Sequence, residues 1–104
     1  MATYVMVFKG GGMPQTEEER QAELARWGEW YGALGPAVVD GGKPFGQSAA
    51  LASDGTSSQG APSGLTGYAI VNADSLNAAT DMGKGCPILR SGGSIEVYET
   101  FDVM

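Results

Sequence analysis

An α+β domain in the order β-α-β-β-α-β is what this sequence predicts, on three observations. A nearly unbroken run of β-branched, aromatic and apolar residues, Thr3 to Phe8, opens the chain, and a helix-period stripe of tryptophan, tyrosine and leucine follows it. The chain then closes on a segment in which apolar and polar residues alternate. Its 104 residues are one domain's worth of length, and a 42% hydrophobic content is enough to build one core. We read residues 1–104 as a single domain without internal repeats.

The opening run reads as a central strand, apolar toward both sides. Lys9-Gly10-Gly11-Gly12 breaks it. Thr16 followed by Glu17-Glu18-Glu19 has the pattern of a capping box, with Thr16 accepting from the first turn and Glu19 reaching back. Three acids at that end also suit the helix dipole. The helix runs from Thr16 to Leu34, and a 100° step per residue places Leu24, Trp27, Trp30, Tyr31 and Leu34 on one core-facing stripe. Gly35-Pro36 ends it.

Ala37-Val38-Val39 reads as a short extended piece before the turn Asp40 to Pro44, and Gln47 to Ala52 as the second strand. Ser53 to Gly64 holds no large apolar residue and reads as one mobile loop. Gly67 to Ala73 restores a strand, and Asp74-Ser75 caps a second helix with Leu76, Ala79 and Met82 at helical spacing. Gly83 and Gly85 stop that helix. In the last strand, Ser94 to Met104, Ile95, Val97, Phe101 and Val103 point inward. This order is ferredoxin-like: an antiparallel sheet with both helices on one face and the other face bare. A homodimer stacked sheet to sheet would hide that face.

The composition excludes several function classes. With no histidine, the chain cannot run Ser-His-Asp or Cys-His catalysis, anchor a metal through imidazole, or switch on imidazole titration. A single cysteine, Cys86, permits neither an intrachain disulfide nor a thiolate zinc cage, and it reads as a packing residue after a helix end. The net charge of −6 and six scattered basic residues argue against nucleic acid and against anionic membranes. No run approaches a membrane span in length. The expectation is a cytoplasmic protein without cofactor or metal.

Two ionisable residues fall on the apolar arc of the first helix, Arg20 and Glu23, three positions apart. Two readings stand: a pair on a helix turn that overhangs the core, or the rim of a pocket walled by Trp27 and Trp30. In the second, Glu23 is the candidate general acid or base and Arg20 the anchor for an anionic substrate. Tyr31 and Asp40, the latter in the nearby turn, complete the candidate ligand-binding set. The triple glycine lacks the Gly-Lys-Ser/Thr ending of a phosphate loop and reads as a flexible turn.

The segments Tyr4-Val5-Met6-Val7-Phe8-Lys9-Gly10-Gly11, Trp27-Gly28-Glu29-Trp30, Val39-Asp40-Gly41-Gly42, Gly67-Tyr68-Ala69-Ile70-Val71, Ala73-Asp74-Ser75-Leu76 and Gly85-Cys86-Pro87 together resemble the YCII-related family, in its branch that carries an Asp-Gly-Pro-Phe motif. The resemblance implies a ferredoxin-like protomer in a dimeric α/β barrel. The wider family's proposed catalytic pair is a His on the first helix with a nearby Asp. That His, four residues before the helix's aromatic, falls on Glu23 here. The Asp-Gly-Pro-Phe motif is absent too, since Asp54-Gly55 is followed by Thr56-Ser57. The family's chemistry is therefore not inherited residue by residue, and catalysis stays open.

Three functions follow as expectations: a dimeric protein with a small-molecule pocket between the first helix and the sheet, a non-enzymatic regulatory or protein-interaction module, and a proton-transfer lyase or isomerase using Glu23.

Overall fold

The computed structural model describes residues 2–12 and 14–103, so the expected strand terminus at Met104 lies outside the described residues. A four-stranded antiparallel sheet is built from β1 (Ala2–Lys9), β2 (Val38–Asp40), β5 (Leu65–Ala73) and β6 (Ser94–Glu99), in the spatial order β2-β5-β1-β6. Two helices, α1 (Glu17–Leu34) and α2 (Leu76–Gly83), accompany it. The strand order, with the two long strands β1 and β5 in the centre, is compatible with a ferredoxin-like fold. A separate two-stranded hairpin, β3 (Ala49–Leu51) with β4 (Ser57–Gln59), stands apart from the sheet.

Side-chain alternation decides which face of the sheet is buried. Tyr4, Met6 and Phe8 of β1 are buried, and their register partners on β5 are the smaller Val71, Ala69 and Gly67. Large side chains on one strand opposite small ones on the next leave room above the sheet for Trp30, Ala79, Cys86 and Ile88, which complete the core. Phe8, Trp27 and Trp30 meet edge to face, with ring centroids 5.4 Å apart for Phe8–Trp27 and 5.8 Å for Trp27–Trp30. The Trp30 indole donates to the Met82 carbonyl at 2.8 Å, tying α1 to α2.

Both helix starts are capped. Thr16 Oγ1 accepts from the Glu19 N–H and Ser75 Oγ from the Ala78 N–H, each at 3.0 Å. Glu19 does reach back, but to the N–H of Gln15, one residue earlier than a capping box requires.

Four expectations need correction. The second strand of the sheet is Val38–Asp40, which pairs with β5 across a bulge, and Gln47–Ala52 instead supplies one side of the outlying hairpin. Ser53–Gly64 is not a structureless loop, because it holds the turn and second strand of that hairpin. The Asp54 carboxylate accepts from the Thr56 N–H at 2.8 Å, and Ser48 Oγ accepts from the Ala61 N–H at 2.9 Å, so polar side chains close the hairpin without an apolar anchor.

The last strand stops at Glu99, one residue before Thr100 donates both its N–H and its hydroxyl to the Thr3 carbonyl, and Phe101 and Val103 beyond it are each 80% exposed. Leu24 is 65% exposed, because the first turns of α1 extend beyond the edge of the packed core. No helix among the described residues is long and apolar enough to cross a membrane.

Candidate functional site

The overhang of α1 creates the site. Between its middle turns and the neighbouring ends of β1 and β5 lies a cavity of about 590 Å³, within the range of small-molecule pockets. Phe8, Trp27, Tyr31, Leu24, Ile88 and Pro44 supply its apolar lining. Gly10 to Gly12 form one margin and Gly41 to Lys43 another, with Thr66 to Tyr68 of β5 between them.

Glycine is obligatory in the second margin. Gly42 adopts φ +76°, and a Cβ there would collide with the Tyr68 carbonyl, so this turn lies directly against β5. Asp40 locks the turn twice. Its Oδ1 accepts from the Gly42 N–H at 2.8 Å, and its Oδ2 accepts from the Tyr68 hydroxyl at 3.0 Å. The Tyr31 hydroxyl donates to the Gly41 carbonyl at 2.6 Å, joining α1 to the same turn. Both phenols are held more firmly in the protonated state than usual: Tyr31 chiefly by burial, Tyr68 chiefly by its hydrogen bond to Asp40.

Glu23 is the carboxylate that reaches the cavity. Its Oε1 accepts from the Trp27 indole N–H at 3.1 Å, one helical turn on, and its Oε2 from Arg26 Nη1 at 3.2 Å. The side chain retains 25% exposure, so it stands at a partly desolvated edge, fixed from both sides.

Of the residues singled out from sequence, Glu23, Trp27 and Tyr31 line the cavity. Arg20 does not: it is 63% exposed and pairs with Glu17 at 3.2 Å, because its own first turn offers a carboxylate on the solvent side. Trp30 is core, its indole directed to α2. Asp40 sits behind the lining and acts through Tyr68 and Gly42. Sequence reasoning missed Phe8, Thr66, Tyr68 and Lys43, which come together only through strand pairing and the bridge between Pro44 and Gly67.

Cys86 is buried beneath α1, and burial pushes its thiol up from 9.0 to about 11. It is protonated packing material. Among the described residues no group of three His, Cys, Asp or Glu could hold a metal ion. The chain matches no protein-family model, and no curated protein matches it in sequence.

Proposed function

We propose that this chain is a YCII-like, cytoplasmic homodimer that binds a small molecule with an apolar or aromatic body in the cleft between α1 and the sheet. The observation that carries the reading is the cleft itself: a cavity of about 590 Å³ walled by Phe8, Trp27 and Tyr31, with one oriented carboxylate at its edge. Arg20, the anchor expected for an anion, is engaged elsewhere, which removes the main argument for an anionic ligand.

Dimerisation through the bare sheet face is supported by shape. The protomer is a slab of 43 × 40 × 18 Å with a radius of gyration of 15.2 Å. A compact domain of this length would have about 13 Å. Val5, Val7, Tyr68 and Ile70 share the bare face and are only partly buried in the protomer. Stacking two such slabs face to face would cover them.

Proton transfer by Glu23 is the second reading, favoured because its carboxylate borders the same cleft. Both oxygens already accept hydrogen bonds, an arrangement better suited to holding a ligand than to shuttling a proton. Titration of isotope-labelled protein with phenethyl alcohol tests the main reading. Binding should shift the amide signals of Phe8, Thr66 and Gly67 and the Trp27 indole signal together. Shifts scattered over the surface, or none at millimolar probe, overturn it.

A further inference from the structure

The hydrogen-bonding character of the cleft lining restricts what it can hold. The Trp27 indole N–H is committed to Glu23 and the Tyr31 hydroxyl proton to the Gly41 carbonyl, while the Tyr68 phenol, on the other face of the sheet, is bonded to Asp40. Thr66 Oγ1 donates toward the Phe8 and Gly10 carbonyls, at 3.3 and 3.2 Å. Each of these side-chain donors is therefore spent inside the protein, while the oxygens of Tyr31, Thr66 and Glu23 keep lone pairs free to accept. Of the other lining groups, Lys43 stands in an exposed turn, and the Ser91 hydroxyl can serve either way.

Apart from Lys43 and the backbone of the glycine turns, the side chains around the cleft offer acceptors, aromatic rings and one carboxylate, which suits a donor that is also positively charged. An ammonium group has three N–H donors and no acceptor, and it is attracted by aromatic rings as well as by a carboxylate. The partner now on Glu23 Oε2 is Arg26, a half-exposed neighbour on the same helix, and such pairs contribute little. A ligand ammonium could share that carboxylate without leaving a buried charge unpaired.

We propose that the cleft selects a protonated organic amine, its ammonium directed to Glu23 and its apolar body against Trp27 and Phe8. This rests on the cleft being a ligand site. Three probes of one shape separate the two claims: phenethylamine, phenethyl alcohol and hydrocinnamate, titrated calorimetrically into the full chain, into Glu23→Gln, and into Glu18→Gln. Glu18 lies in the exposed first turn of α1, so its variant removes the same charge outside the cleft.

The amine should bind about ten-fold tighter than the alcohol, and hydrocinnamate weakest. Glu23→Gln should close the gap between amine and alcohol, and Glu18→Gln should keep it. Equal binding of amine and alcohol, preference for hydrocinnamate, or a gap that Glu18→Gln closes as fully as Glu23→Gln overturns the amine assignment but leaves the cleft as a ligand site. Failure of all three probes to bind overturns both.

Discussion

The two faces of the central sheet carry the same strands to different ends. Along β1, Tyr4, Met6 and Phe8 are buried under the helices, while Thr3, Val5 and Val7, alternating with them, are only partly covered. β5 repeats the pattern, with Ala69, Val71 and Ala73 buried and Tyr68, Ile70 and Asn72 partly covered. Residue type hardly separates the faces, since valines, isoleucine and a tyrosine lie on the bare one. What separates them is the presence of partners of complementary shape: Trp30, Ala79, Cys86 and Ile88 fill the helix side, whereas on the other, among the described residues, no buried residue lies and Phe45 stacks on Tyr68. Apolar character alone does not make a core. It makes a surface that a core, a ligand or a second copy can use.

The sharpest way to break the comparison is one substitution on the covered side. Met6 is fully buried in the middle of β1, between Ala69 and Val97 on the adjoining strands. Met6→Lys would bring an ammonium into this layer with no carboxylate among the buried residues to receive it. The expected cost exceeds about 4 kcal/mol, a large part of a small domain's stability. Loss of the cooperative urea transition, monitored by tryptophan fluorescence, is the measurement. A transition kept within about 1 kcal/mol of the parent would show that the helix side is loosely packed.

A smaller effect on the same side comes from Cys86. Its thiol ionises near pH 11 in the folded protein and near 9.0 otherwise, so folding favours the protonated form. That contribution is complete below about pH 9 and is lost as pH rises through about 11. Over this window the parent should lose about 2–3 kcal/mol more than Cys86→Ala does, each measured by denaturant titration. The thiol should also resist alkylation in mildly alkaline buffer until the protein unfolds. Rapid alkylation of the folded protein would place Cys86 in an open site instead.

Much of this contrast is legible in the sequence, and the failures have identifiable causes. The Thr3–Phe8 run, the Thr16 and Ser75 caps and the spacing of Trp27, Trp30 and Tyr31 are local signals, and the elements they predict form at those positions. The hairpin was also signalled locally, by Asp54-Gly55 between two short extended segments, but the missing apolar residues concealed it. Leu24 failed for a different reason. Helical periodicity gives the direction of a side chain, not whether the sheet extends beneath it. The cleft was half legible: Glu23, Trp27 and Tyr31 share a helix face, whereas Phe8, Thr66 and Tyr68 arrive through strand pairing that no local pattern encodes.

The smallest expected change in protomer stability tests the other face. Val5 neighbours Met6 in the chain but lies opposite it across the sheet, between Ile70 and Tyr98. A lysine there can run its stem over those neighbours and keep its ammonium in water, with Glu96 on the same face of β6. Val5→Lys should therefore shift the unfolding free energy of the isolated protomer by no more than about 1 kcal/mol. Its consequence should show in assembly. If the bare faces stack in a homodimer, two-fold symmetry brings ammonium groups from both copies into one apolar layer, and the variant sediments as a folded monomer at concentrations where the parent is a dimer. A parent that sediments as a monomer at micromolar concentration contradicts the dimer outright. A dimer that survives Val5→Lys unchanged moves the contact off this face. A monomeric variant with an intact cooperative transition would show that adjacent residues of one strand serve separate purposes, Met6 folding the protomer and Val5 joining it to its copy.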